Sequence, residues 1–464
     1  MSTLVALALF LIVLGYVVEK YTDDHEEIPI VTVCRLLPDF LNRLLFFMKG
    51  PSLIYYGYNK YKNKPFRILK VDADMIVLPT KYLPEVRYLP HTKISLLDAQ
   101  FNVNLFLSLF QSGLMCRQSV CGNYTNILND SNLPAHTVAK KMTPSLHRIV
   151  PMVIDDLQQA FKMEVPECTD RWVSVNLYSM ILKLSNRSTS RVIVGETLCR
   201  SEKWLNIILL RPLPRFLRPF AAKLLPSWMM DTADNEYDEK LENIAQGLMI
   251  IMALAVLHTS TILITQCIYD LLVRQEYVAP LRHEIMGTLK GGWSNATQAC
   301  FNAQCLLDSF LHEPQRFHPT SEVNVQRITK ESITFSDGPT IPSNTHICFP
   351  SGSLSRDPIN LPYPNLDPST FDGFRWCRDP YARNNKLVRT TAANLHFGYG
   401  RQVCPDRHFA ANTSKAILSR LLVEYDMKFE EGSEARRPMD IRNGEQIMPN
   451  FYAKVLIRRT RDEI

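Results

Sequence analysis

The residue with the most pointed chemical setting is Cys404, in the run His396-Phe-Gly-Tyr-Gly-Arg-Gln-Val-Cys404-Pro-Asp-Arg. Gly398 and Gly400 punctuate the approach and allow backbone conformations and close contacts that side chains would block. A flat macrocycle could lie against such a loop. Helical periodicity resumes after Pro405, so the free amide groups of a helix start would face the sulfur and favour a thiolate over a thiol. The chemistry implied is that of an anionic metal ligand. The bland alternative is a buried apolar cysteine after a turn, which describes most cysteines.

Two further patterns carry chemistry. Glu313 and Arg316 stand three apart, on one face of a helix, where acid and base can pair. An exposed pair of this kind contributes only about 0.2–0.5 kcal/mol and would mean little alone. Pro314 between them costs an amide donor, which predicts that it sits near the helix start. The longest uncharged run is Asn243 to Tyr269, and a membrane span is its plain reading. Against that, His258-Thr259-Ser260-Thr261 puts four polar side chains at its centre, where lipid offers few partners. A long buried helix crossing the protein suits them better.

The elements that must position these residues change along the chain. Helical spacing dominates from about Thr143 to Arg316, as in Ile149, Met152, Val153, Leu157 and Phe161. From Glu322 the pattern alternates through Val323, Val325, Ile328, Ile333 and Phe335, and Ser336-Asp-Gly-Pro339 turns it into a hairpin. Pro350 to Arg389 has little periodicity and reads as a long irregular segment, a feature usually tied to function. A helix is expected over Arg407–Tyr425 and strands around Tyr452–Arg458. No repeat of 20–50 residues is visible, which removes solenoids and propellers.

Composition narrows the partners. The 464 residues carry a net charge of +6, but Lys and Arg are scattered rather than gathered into the patch that nucleic-acid binding wants. The 11 cysteines are odd in number and lack CxxC pairs, against a disulfide framework or a structural zinc site. Thr3 to Val18 is uncharged, slightly short for the roughly 17–25 apolar residues of a spanning helix, and followed by no A-x-A cleavage pattern. A retained membrane anchor over residues 1–20 and a catalytic domain over 21–464 are expected. Phe40 to Tyr58 is rich in apolar and aromatic residues, and reads either as a segment lying on the bilayer or as ordinary core.

FGYGRQVCPD resembles the haem-binding loop of the cytochrome P450 family, with Phe397 seven residues and Gly400 four residues before the ligand cysteine. The resemblance extends over nearly the whole chain, with the anchor, the helix around Thr259, the Glu-x-x-Arg pattern, the Phe371-to-Arg375 stretch and the cysteine loop in the family's order. It implies a mainly helical fold with a small β region and haem b held through Cys404. It further implies a buried network of Glu313, Arg316 and Arg375, and oxygen-site residues Thr259 and His258, the latter in the family's acidic place. Phe397, Gly398, Gly400 and Arg401 would lie against the haem. Lys140, four after His136 where the family has Trp-x-x-x-Arg, and Arg327 would meet its propionates. Gln402 and Asp406 depart from the family, which usually has a cation and a glycine there.

The implied activity is monooxygenation of a hydrophobic small molecule, with electrons from NADPH through a cytochrome P450 reductase, at the endoplasmic reticulum facing the cytosol. The wording of Gly-Gly-Trp293-Ser and Phe-Asp-Gly-Phe-Arg375 is similar to filamentous-fungal members of terpenoid-type secondary metabolism. The sequons at Asn123, Asn186, Asn295 and Asn412 are then chance. A haem-thiolate isomerase or dehydratase needing no reductase, and a decayed haem-free binding protein, are the rival readings.

Overall fold

The computed structural model describes residues 28–35, 37–71, 73–101, 131, 133–199, 232–240, 243, 257–363, 366–378, 385–430 and 436–460. The Thr3–Val18 run, the boundary expected at residue 20 and most of the uncharged run before Leu257 lie outside these residues. Among the described residues no helix is long and apolar enough to cross a membrane.

Among the described residues the longer helices are α1 (Asp39–Lys60), α2 (Leu146–Glu164), α3 (Leu177–Cys199), α4 (Leu257–Leu272), α5 (Val278–Thr288), α6 (Cys305–Phe317) and α7 (Arg407–Glu424). In α2, Ile149, Val150, Val153, Leu157, Ala160 and Phe161 fall at helical spacing and are buried. That stripe packs on α3 and α7 and joins residues such as Ile181, Leu184, Ile268, Leu311 and Leu421 of α3, α4, α6 and α7 in one apolar core, the largest among the described residues. Helix α7 is buried nearly all round. Its Lys415 tolerates this because its ammonium meets Asp308 at 2.6 Å and the carbonyls of Phe301 and Gln304.

The β region is small. Strands β1 (Ile30–Val31), β2 (Phe66–Ile68), β3 (Met75–Val77), β4 (Ile94–Ser95), β6 (Asn324–Thr329) and β7 (His346–Phe349) form a sheet of order β1-β2-β3-β7-β6-β4. β5 (Val173–Asn176), β8 (Tyr425–Phe429) and β9 (Lys454–Arg459) form a second sheet, with β9 in the middle. Ile333–Thr334 and Thr340–Ile341 pair across the expected turn. The fold is thus mainly helical with small sheets.

Two expectations change. Pro314 lies in the last turn of α6, not near its start. Its missing N–H would have met the Phe310 carbonyl. The helix ends three residues later, where the His318 amide donates to the Pro314 carbonyl at 2.7 Å, so only the final turn is weakened. Pro350 to Arg389 is not wholly irregular, since Ser351–Arg356 is helical and Pro358–Asn360 is a 3-10 turn. In α1 part of the 40–58 stretch is ordinary core and part is exposed. Phe46, Leu53, Ile54 and Tyr58 are buried, while Phe40, Leu44 and Met48 are 56%, 52% and 67% exposed.

Candidate active site around Cys404

The loop before α7 is closed by its own backbone. The Cys404 amide donates to the Phe397 carbonyl at 2.7 Å and the Gly398 amide to the Leu395 carbonyl at 2.8 Å. Gly398 and Gly400 take φ of +79° and +75°, the left-handed region that glycine enters without cost. A methyl group on Gly398 would meet the Gln402 carbonyl at 3.0 Å, and one on Gly400 would strike Arg87 Cγ at 2.4 Å. The chain therefore folds tightly on itself, with Phe397 and Val403 half-buried beside it.

Cys404 lies deep, yet its surface is only partly covered. Burial pushes its thiol up to about 12, and Asp406 adds to this. The amides of Asp406 and Arg407, at the start of α7, act in the opposite direction and pull it back only in part. The expected helix-start effect is present but is outweighed by desolvation. A thiolate at this position calls for a cation bonded directly to it, which is what a ligated metal supplies.

The polar groups nearby are cations and donors. Arg327, on β6, is buried, donates to the Gln326 carbonyl at 2.7 Å, and leaves its Nε with no protein partner. Burial lowers its guanidinium to about 10, and no acid offsets the shift. The backbone aims it there: β6 bulges between Asn324 and Arg327, and Val325 takes a φ of +53°, costly for a β-branched residue. Across from it, Gln402 Nε2 lies 2.7 Å from His91 Nδ1, while Gln402 Oε1 is sealed without a partner. His91 is lowered first by desolvation and then by Arg327, Arg401 and Lys330, which places these three cations around its imidazole. Arg401 is exposed. A partly open thiol, a glycine cradle and a buried arginine short of acids fit a flat metal macrocycle that carries carboxylates. His91 gave no signal in the sequence, because the residue it meets is 311 positions away.

Other expected residues take definite places. Phe397 and the two glycines belong to the loop itself, and Lys140 lies on another segment. It is exposed on a π turn, Val138–Met142, that continues the helix carrying His136. The Thr143 hydroxyl after that turn donates to the Pro405 carbonyl at 3.1 Å, so this segment abuts the cysteine loop. Glu313, Arg316 and Arg375 come together fully buried. Arg316 donates to both Glu313 oxygens at 3.0 and 2.6 Å, and Arg375 Nε stands at 3.5 Å as a charge contact without a hydrogen bond. Trp376 Nε1 and the Asp372 amide complete the carboxylate's partners at 3.2 and 3.1 Å.

His258 and Thr259 stand at the described start of α4. Thr259 is exposed and His258 half-buried, with Tyr178 Oη at 3.2 Å from His258 Nδ1. The polar run continues inward: Thr261, Thr265, Gln266 and Asp270 are buried. Asp270 meets Arg274, four residues on, at 2.8 Å and Arg437 at 2.9 Å, and the second contact spans 167 positions that no local pattern bridges.

Comparison with known proteins adds a finding of another kind. The family model described as cytochrome P450 matches residues 218–450. The cytochrome P450 monooxygenase paxP of Penicillium paxilli is 35% identical, over 99% of this chain and 95% of its own length. The ent-kaurene oxidase of Gibberella intermedia is 32% identical over 92% of this chain and 87% of its own. The solved structure of retinoic acid bound cyanobacterial CYP120A1 shares the fold with a TM-score of 0.63, at 14% identity, covering 93% of this chain and 99% of that one.

Proposed function

The chain belongs to the cytochrome P450 family as a monooxygenase akin to those of fungal secondary metabolism, and from that premise we propose that it oxidises a terpenoid or related polycyclic secondary metabolite. The relative named ent-kaurene oxidase supports this substrate class, since ent-kaurene is a polycyclic diterpene. The observation that carries the reading is the Cys404 sulfur, held at the foot of a glycine cradle with the first amides of α7 turned toward it.

Haem b bound there would supply the activation of dioxygen and the cleavage of its O–O bond. Cys404 would hold its iron through the sulfur, and Phe397, Gly398 and Gly400 would lie against the group. Arg327 and Arg401 would meet its carboxylates, with Lys140 reaching from its π turn. Thr259 would hold a proton at Oγ1 on the substrate side, and His258 would pass it one. One oxygen atom enters a C–H or C=C bond, and the other leaves as water with two electrons and two protons. NADPH would provide the electrons through a cytochrome P450 reductase docked on the Cys404 side.

Membrane attachment belongs to the same proposal. Thr3–Val18 would be a single-pass anchor in the endoplasmic reticulum, with residues 21–464 as a cytosolic catalytic domain. The exposed Phe40, Leu44 and Met48, repeating every fourth residue along α1, support a surface resting on lipid that also delivers apolar substrate.

The test is expression of the full chain in microsomes with a reductase and a panel of polycyclic terpene hydrocarbons under isotopically labelled dioxygen. The expected result is one labelled oxygen per product, dependent on NADPH. A thiolate-type Soret band should form in the reduced carbon monoxide spectrum and vanish in Cys404→Ser. Wild-type protein without haem, or turnover indifferent to NADPH, would overturn the reading.

A further inference from the structure

Tyr178 and His258 are brought together by two packed helices. Tyr178 is the second residue of α3, and His258 follows Leu257 at the described start of α4. Tyr178 Oη lies 3.2 Å from His258 Nδ1, and both residues are half-buried. The tyrosine is held from two sides. Its ring stands edge-on to Phe451, with centroids 4.5 Å apart. Just before it, Asn176 donates to the Phe451 carbonyl at 2.8 Å and accepts the Ser179 amide at 2.8 Å. The hydroxyl is aimed by packing rather than left to turn in solvent.

That pairing answers a chemical need. A carboxyl group can gain and lose a proton at one site, but a neutral imidazole that hands on a proton must lose it at one nitrogen and recover it at the other. The Tyr178 hydroxyl can donate to Nδ1, and the imidazole tautomer that accepts this bond carries its own proton on Nε2. We propose that Tyr178 is the positioning and proton-resupply residue of His258, a role that rests on the monooxygenase reading. The Nε2 proton leaves toward Thr259, Nδ1 takes the hydroxyl proton of Tyr178, and water reprotonates the phenolate. The N–H bond at Nε2 breaks as an O–H bond forms at Thr259, which gives up its own proton; the Tyr178 O–H bond breaks as an N–H bond forms at Nδ1; and the phenolate regains its O–H bond from water, which leaves as hydroxide. No electrons move, and exchange with water resets the ring.

The experiment uses the full-length holoprotein. Tyr178→Phe removes the hydroxyl and keeps the ring against Phe451. Side-chain NMR of 15N-histidine-labelled protein in its carbon monoxide form reads the tautomer of His258, assigned by the signal missing in His258→Gln. The expected result is a single Nε2–H tautomer in wild type and a mixture in Tyr178→Phe. Product formed per NADPH should fall at least threefold in Tyr178→Phe, and the solvent isotope effect on product formation should rise at least twofold. In a His258→Glu background the carboxyl needs no second site, so Tyr178→Phe should change neither quantity. An unchanged tautomer in Tyr178→Phe, or an equal loss of coupling in the glutamate background, would overturn the proposal. A wild-type chain that makes no product strikes at the monooxygenase reading, and the tautomer measurement still decides the pairing.

Discussion

Arg316 holds Glu313 with two nitrogens, at 3.0 and 2.6 Å, inside a core where neither side chain touches solvent. Removing the charge of one partner strands the other, because Arg316 and Arg375 would be left buried around a neutral group. Glu313→Gln should therefore cost about 3–5 kcal/mol, far more than an exposed pair would. The urea midpoint of the purified protein checks this. A midpoint unmoved by the substitution would mean that the aromatic packing around Phe310 and Phe371, and not the ion pair, holds α6 to this segment.

Arg327 is aimed by a bulged strand and a residue at positive φ, yet its Nε meets no protein acceptor. If it serves a carboxylate of haem, Arg327→Ala removes a charged hydrogen bond of about 1.5–3 kcal/mol. Haem transfer to apomyoglobin should then run roughly ten- to a hundredfold faster, with the thiolate-type spectrum kept. Transfer at the wild-type rate would assign Arg327 to folding alone.

His346 gives a pH dependence whose sign is fixed. Burial first, and then Lys70, lowers its imidazole to about 4, while an unfolded histidine titrates near about 6.5. The folded state keeps it neutral where the unfolded chain takes up a proton, so its stability is whole above about pH 6.5 and drains away as pH falls toward 4. By pH 5 the loss amounts to about 2 kcal/mol. In His346→Gln, which keeps a donor for Gln326, the fall in stability between pH 7 and pH 5 should shrink by about that amount. His312 and His396, lowered to about 4 and about 3, keep the parent acid-sensitive, so the difference between the two proteins is what is read.

What could be read from sequence followed the range of each interaction. Helix α2 was visible because its buried stripe repeats within one segment, and the Ile333–Ile341 hairpin because its turn residues sit between its strands. Glu313 and Arg316 are neighbours on one helix turn, and Arg375 follows an aromatic residue at fixed spacing, so family wording could point to all three. Tyr178 with His258, and His91 with Gln402, are contacts made only by tertiary packing, and neither partner's local pattern names the other. Pro314 was misplaced for a related reason. Propensity disfavours proline anywhere past the first turn, but a helix whose neighbours are locked by Glu313 and Arg316 can give up one hydrogen bond at its end.

Gly400 separates two costs that are usually confounded. With φ at +75°, any L side chain there is strained by about 1–2 kcal/mol, and a methyl would also sit 2.4 Å from Arg87 Cγ. Arg87 lies with its guanidinium 5.3 Å from the Tyr399 ring, so its stem is pinned and cannot simply swing away. Gly400→Ala should thus lower the haem content of the purified protein, measured as the ratio of Soret to protein absorbance. Adding Arg87→Ala removes the clash but leaves the backbone strain, so haem content should recover in part. Full recovery would mean that the left-handed conformation costs little here, and no recovery would mean that the backbone alone decides how the loop carries Cys404.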